Sequence, residues 1–307
     1  MSHAADEQRR RNTQSRLAWE PFAAHRQQVT RLVIEQIETL GRAGRARVRI
    51  LGAGNCNDLD LARLVPLCDH LELVDLDGEA LAQGVERQLP AGAECLQLRG
   101  NIDLTGILDR LEAGEPGSAD AAPEASGALA ESLLDAARNA APFPADTPPV
   151  DVVASLCLLS QLVESVLRTA ARPGEPIPLP LLQAVRQRHL EIMVEGLRAG
   201  GRGLLVSDIV SSVSFAPLPQ TPLAALPALL RQLIAERNFF TGLNPAVLEQ
   251  LLRTAPTIGG RLDQVLALPP WLWDLGPRVY AVVAWSFARR TAEAALPAGS
   301  GAFGPLP

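Results

Sequence analysis

The run Val48-Arg49-Ile50-Leu51 ends on Gly52-Ala53-Gly54-Asn55-Cys56-Asn57-Asp58, and that junction narrows the folds open to the chain more than any other feature. A short apolar run of this kind reads as a buried strand, and the glycines let the backbone turn sharply into a helix predicted from about Asp58 to Cys68. The same unit recurs. Leu71-Glu72-Leu73-Val74, Leu96 to Arg99, Asp151-Val152-Val153-Ala154-Ser155-Leu156 and Gly203-Leu204-Leu205-Val206-Ser207 are four further strands. Helical spacing over Leu17 to Leu40 (Val29, Leu32, Val33, Ile37), stopped by Gly41, precedes the first strand. A helix from about Leu179 to Leu197, ending at Gly200-Gly201, precedes the fifth. Strands alternating with helices in this way build parallel βαβ units, so the chain is read as α/β.

The far end breaks that rhythm. Leu266 to Trp273 and Arg278 to Phe287 are rich in apolar and aromatic residues, with Asp274-Leu275-Gly276-Pro277 between them. They read as an antiparallel hairpin closing an otherwise parallel sheet. Between the fifth strand and the hairpin, a Pro-rich bend (Phe215 to Pro222) and helices around Leu226 to Glu236 and Pro245 to Arg253 form an expected helical cover over 215–255. Residues 1–16 are expected to be a disordered tail and 291–307 a second one. The Ala/Pro/Gly/Glu segment 112–127 reads as a low-complexity insertion, dispensable to folding, and 17–290 as one domain.

Composition excludes several chemistries. All 28 Lys+Arg residues are arginine, so no lysine is available for a Schiff base or for a phosphate-binding loop of the Walker type. A net charge of -6 leaves no basic surplus for nucleic acid, and Arg9, Arg10 and Arg11 read as a solvated cluster. Cys56, Cys68, Cys95 and Cys157 have neither C-x-x-C spacing nor a nearby histidine, so reduced thiols and no metal are expected. No apolar run approaches membrane-spanning length, and the start lacks a signal's apolar stretch, so the chain reads as soluble and cytoplasmic, with no membrane partner.

A glycine turn between strand and helix also allows a ligand to approach the backbone closely. The third glycine of a dinucleotide fingerprint would fall on Asn57, so an NAD site is disfavoured. Asp75 closes the second strand, where a carboxylate can accept hydrogen bonds from both hydroxyls of a ribose. Asp77 is the alternative, unless Asp75-Leu76-Asp77-Gly78 is simply a turn with a helix cap.

From about Leu17 to Phe287, and most specifically over Val48 to Asp103 and at the terminal hairpin, the chain resembles the class I, Rossmann-like S-adenosylmethionine (SAM)-dependent methyltransferases. The resemblance implies a doubly wound, mostly parallel seven-stranded sheet with a terminal antiparallel hairpin, and SAM as cofactor. It implies that Gly52, Ala53, Gly54 and Asn55 lie against the methionine part and that Asp75 holds the ribose. It implies Asn101 or Asp103 at the adenine, and Leu156 and Cys157 opening onto the methyl-transfer site. The sequence departs from the family at Ile50, where an acid is common, and at Cys56, where a third glycine is.

The activity implied is methyl transfer to a small organic acceptor. A SAM-binding module without catalysis, acting through protein contacts, is the other reading of the Ile50 and Cys56 departures. Trp19, Ser160, Gln161 and Phe239 are the candidate acceptor contacts, with Asp208, Ser211, Ser212, Phe22, Phe240, Trp271 and Trp273 as further polar or aromatic candidates. No residue is marked as a general base. His189 reads as a packing or surface histidine, whereas His25 could reach the site from the first helix.

Overall fold

The computed structural model describes residues 3–16, 18–41, 44–113, 123–170 and 178–291. In chain order the elements are α1 (His3–Ser15), α2 (Ala23–Glu38), β1 (Ala46–Leu51), α3 (Leu61–Leu64), β2 (Cys68–Val74), α4 (Gly78–Gln88), β3 (Leu96–Arg99), α5 (Leu108–Ala113) and α6 (Pro123–Arg138). There follow β4 (Val150–Leu156), α7 (Leu158–Ala170), α8 (Leu179–Glu195), β5 (Leu197–Ser211), α9 (Leu226–Ala235), α10 (Pro245–Thr254), β6 (Leu262–Asp274) and β7 (Val279–Arg289).

The strands form one seven-stranded sheet in the order β3-β2-β1-β4-β5-β7-β6. β1 pairs in parallel with β2 and β4, β2 with β3, and β4 with β5, whereas β7 runs antiparallel to both β5 and β6. This is the doubly wound sheet with a terminal hairpin that the resemblance implies. Its central strands are buried on both faces, which is why they read as continuous apolar runs. Alternation divides them between two cores. Val48, Ile50, Leu71, Leu73, Val152 and Ala154 face one core with Val29, Leu32 and Val33 of α2. Leu51, Val74, Val153 and Leu205 face the other, with Leu159 and Val163 of α7 and Leu190 of α8.

Several boundaries differ from expectation. α2 begins at Ala23, because Pro21 in the turn ahead disfavours helix in the residue before it. Only Leu61–Leu64 of the expected Asp58 to Cys68 helix is α-helical, since Pro66 tightens the rest into a 3-10 turn. β5 starts six residues before Gly203, because Gly200 takes a left-handed turn (φ 72°) that the strand absorbs as an irregularity. Residues 114–122 of the expected 112–127 insertion, and residues 292–307 of the expected C-terminal tail, lie outside the described residues. Positions 123–127 belong to α6, whose Leu133 and Ala137 pack into the core, so the insertion is shorter than the composition suggested.

The clearest correction concerns the N-terminus. Residues 3–15 form a helix where a disordered tail was expected, and the helix docks through polar groups. The Asn12 side chain donates to Asp77 Oδ2 (3.0 Å). The carbonyls near the helix's end, which lack intrahelical partners, are taken up from below. Asn55 donates to Asn12 O (2.7 Å), Asn57 to Ser15 O (2.8 Å) and Arg87 to Arg16 O (2.9 Å). Nothing apolar advertises such an interface. Arg11, expected to be solvated, forms an ion pair with Glu164 of α7 (2.8 Å). No helix among the described residues is long and apolar enough to cross a membrane.

Candidate functional site

The carboxyl ends of β1, β2, β4 and β5 open into a cleft of about 780 Å³, roofed by α1, the turn before α2 and the β6–β7 turn. Its floor is the glycine turn. Gly52 (φ 79°) lies so close to α7 that an added Cβ would stand 2.7 Å from Leu158 Cβ. Gly54 (φ 48°) donates its N–H to Asp75 Oδ2 at 2.8 Å. Cys56, at the third-glycine position, also holds a left-handed conformation (φ 54°). The departure therefore changes the residue and leaves the loop's course intact, at the cost of strain that a glycine would not carry.

Asp75 lies just beyond β2, where its carboxylate ties two loops together. Oδ2 accepts from Gly54 and Oδ1 accepts from the Asp77 N–H at 2.9 Å. Burial pushes its pKa up to about 6 against those two hydrogen bonds, which favour the charged form. Asp77 turns out to be a cap: Oδ1 accepts the Ala80 N–H at the start of α4, and Oδ2 is taken by Asn12. Of the two acids, only Asp75 lines the cleft.

The remaining candidates divide. Gly52, Ala53, Gly54, Asn55, Cys157, Ser160 and Gln161 line the cleft with Asp75. A smaller hollow of about 40 Å³ adjoins it and shares Gly52, Asp75 and Gln161; Asp103 lines that one. The Asp103 carboxylate is already engaged, accepting from Thr105 N (2.7 Å), Thr105 Oγ1 (2.6 Å) and Leu108 N (3.0 Å), so it shapes the hollow's wall as the cap of α5. Asn101, left-handed (φ 59°) and exposed, lines neither space. Leu156 ends β4 with its side chain in the core, and the Cys157 carbonyl beyond it accepts from Ser160 Oγ (3.1 Å) and Gln161 Nε2 (3.2 Å).

Two aromatic candidates are displaced from the cleft. Trp19 lies under the guanidinium of Arg26, 3.4 Å from its ring centroid, and Phe239 is half-buried outside the lining. Their neighbours take the positions instead: Phe22 and Phe240 line the cleft, together with Trp273 and Tyr280 of the hairpin. Of the polar candidates on β5, Asp208 lines the cleft and Ser211 does not.

One constellation joins three elements distant in sequence. Asp58, six residues past Gly52 in the quoted motif, lines the cleft, and its Oδ1 lies 3.4 Å from Nε2 of His25 on α2. Both atoms are buried without a hydrogen-bond partner among the described residues. His25 Nδ1 faces the indole N–H of Trp271 at 3.1 Å, and its ring stacks on Trp273 (4.3 Å between centroids). An indole nitrogen only donates, so Nδ1 is the acceptor and the neutral ring carries its proton on Nε2, toward Asp58. Burial lowers the His25 pKa to about 3, which keeps the ring neutral. Burial and the neighbouring charge of Asp208 push Asp58 up to about 7. Asp208 is itself pushed up to about 6 by burial, although Ser160 Oγ donates to its Oδ1 at 2.5 Å. His189 is a fully buried packing residue bonded to Ser155 Oγ (2.8 Å), away from the cleft lining. Among the described residues, no group of His, Cys, Asp and Glu is arranged to hold a metal ion.

These raised carboxylates have a consequence for stability. A carboxyl with a higher pKa in the folded than in the unfolded chain binds its proton more tightly when folded. Its contribution is complete below the unfolded value near 4 and is lost as pH rises toward the folded value, here about 7 for Asp58. Asp58→Asn should therefore stabilise the fold by about 2 kcal/mol at pH 8 and much less at pH 5. Urea midpoints at the two pH values test this; an equal difference at both would show that Asp58 ionises normally.

No protein-family model matches the chain, and no curated protein matches it either. Several solved structures align with it over most of its length. The N-methyltransferase NodS from Bradyrhizobium japonicum WM9 aligns over 88% of this chain and 98% of its own at 12% identity (TM-score 0.41). The S-adenosylmethionine-dependent methyltransferase SibL aligns over 86% of this chain and 55% of its own at 16% identity (TM-score 0.40). An rRNA methylase from Streptococcus thermophilus aligns over 84% of this chain and 93% of its own at 12% identity (TM-score 0.37).

Proposed function

We propose that the chain binds SAM in the 780 Å³ cleft and catalyses transfer of its methyl group to a small organic acceptor. The observation that carries this reading is Asp75, a buried carboxylate at the carboxyl edge of β2, fastened to the glycine turn that ends β1. Ligands of open α/β sheets bind at such an edge, where the chain's crossovers part to either side. Here that point lies between β1 and β4.

The residues fit SAM better than a dinucleotide. Asp58, Asp75 and Asp208 surround the glycine turn with buried acidic groups, which repel a pyrophosphate and attract a sulfonium or an ammonium. Asn57, where a third glycine would admit a phosphate, is spent on capping α1. Asp75 accepts backbone bonds from Gly54, Asp77 and Leu76, and a carboxylate's four lone-pair sites leave room for a ribose hydroxyl. The adenine extends from the cleft toward the side walled by Asp103, Ile102 and Leu104, and Gly52 to Asn55 lie along the amino-acid portion. When bound, SAM supplies a methyl group already activated by its sulfonium. What remains for the chain is to position the acceptor and exclude water, the roles of Ser160, Gln161 and the Phe22–Phe240–Trp273 wall.

The test is turnover. Incubation with methyl-labelled SAM and a pool of small metabolites should yield S-adenosylhomocysteine (SAH) and labelled product, in amounts that depend on the pool. Binding of SAM without turnover across chemically diverse pools would favour the alternative of a binding module.

A further inference from the structure

The cleft holds more acid than a single cofactor requires. With Asp75 given to the ribose, Asp58 and Asp208 remain, coming from the loop after β1 and from β5, both lining the cleft and close enough for the charge of Asp208 to raise the cost of ionising Asp58. Asp208 is only 7% exposed. Among the described residues, Asp58 Oδ1 is buried with no hydrogen-bond partner, and His25 Nε2, from a ring that is 1% exposed, lies 3.4 Å from it. A carboxyl group with one oxygen stripped of water and left without a full partner is costly to ionise, and a cation meeting the part of the side chain that lines the cleft recovers some of that cost. Phe22, Trp273 and Tyr280 line the same cleft, and Trp273 stacks on the His25 ring that neighbours Asp58. Carboxylates beside aromatic rings suit an ammonium, which gains ion-pair and cation–π attraction together.

Other charges face the same space. Glu164 lines it but is engaged with Arg11 (2.8 Å) and Arg168 (2.7 Å). Arg278 lines the rim, donating to Tyr280 Oη at 3.2 Å. Arg26 of α2, buried outside the lining, also acts on Asp58, but its guanidinium is engaged with the Trp19 and Asn57 carbonyls (2.9 and 3.2 Å). The cations that line the cleft sit on α1 and at the β6–β7 turn.

We propose that the acceptor is a cationic amine, seated with its ammonium between Asp58 and Asp208 and its apolar part against Phe22 and Trp273. This rests on the reading of the cleft as a SAM site. Asp58 also has a place in the chemistry. An ammonium has no lone pair to offer; its proton passes to the Asp58 carboxylate, which becomes the neutral acid, and the amine keeps the freed pair. The raised proton affinity of Asp58 suits that exchange.

The test uses three probes of similar shape: 2-phenylethylamine, 2-phenylethanol and 3-phenylpropanoate. Each is titrated calorimetrically into the full chain already saturated with SAH, whose own ammonium is then in place. Failure of SAH to bind in the preceding titration would count against the cofactor reading, and the probes are then titrated into the unliganded protein, where the same amine preference is expected. In either form the amine should bind about tenfold or more tighter than the alcohol, a difference of about 1.4 kcal/mol, with the carboxylate weakest. Asp208→Asn and Asp58→Asn should each cut the amine's advantage while leaving the alcohol's affinity unchanged. Their unfolding midpoints confirm that the variants are folded. Equal binding of amine and alcohol, no binding of any probe at millimolar concentration, an amine preference that survives both substitutions, or one abolished by SAH would each overturn the proposal. The last would assign both carboxylates to the cofactor's ammonium.

Discussion

Replacing Gly84 with alanine should destabilise the protein and abolish most of its SAH binding, although the residue sits within a helix and touches no ligand. In an exposed helix the change would help by up to about 1 kcal/mol, because alanine restricts the unfolded chain and favours helix. Here α4 presses on the glycine turn, and a Cβ at Gly84 would stand 2.3 Å from the backbone oxygen of Asn55 and 2.5 Å from its carbonyl carbon. Backbone cannot rotate aside as a side chain does. Either α4 or the turn must retreat by about 1 Å, and overpacking of this kind costs about 1–3 kcal/mol. If the turn moves, it moves the Gly54 donor to Asp75 and the backbone along the cleft as well, so SAH affinity falls together with stability. Unfolding curves and SAH titrations on the same variant check this. A more stable protein with normal SAH affinity would mean that the turn is not braced by α4.

Asp75→Ala is expected to have the largest direct effect on the cofactor. Hydrogen bonds to a charged acceptor contribute about 1.5–3 kcal/mol, so SAH affinity should fall by about 10- to 100-fold. The substitution also releases the Gly54 and Asp77 N–H groups, which otherwise hold the two loops in register. Stability should change far less. The carboxylate is costly to bury, as its pKa near 6 indicates, and removing it offsets the lost loop contacts. A variant that unfolds early but binds SAH with unaltered affinity would make Asp75 a structural strut, with the ribose site elsewhere.

The sheet was legible because its central strands are buried on both faces. Val48 to Leu51 and Asp151 to Leu156 stand out as apolar runs between turns, and the hairpin showed itself through Asp274-Leu275-Gly276-Pro277. The glycine turn and Asp75 were legible for a different reason: both are fixed by position, at the ends of consecutive strands. α1 was not, because its docking uses Asn12, Asn55 and Asn57 instead of an apolar stripe, and such contacts leave no periodicity. Trp19 and Phe239 were not separable from Phe22 and Phe240 because all four lie outside regular helix and strand, where no period fixes which side chain points inward. The Asp58–His25–Trp271 arrangement was out of reach for want of any local signal. Its members come from the loop after β1, from α2 and from β6, and only the packing of α2 against the hairpin brings them together.

The central claim is that the carboxyl edge of β1 and β2 is a SAM site, and a crystal structure of the protein grown with saturating SAH tests it most directly. The account predicts the ribose hydroxyls on the Asp75 carboxylate, the adenine extending toward the wall that carries Asp103, and the homocysteine along Gly52 to Asn55 with its sulfur toward Asp58 and Asp208. SAH bound at another surface, or its adenosine lying away from Asp75, would contradict it.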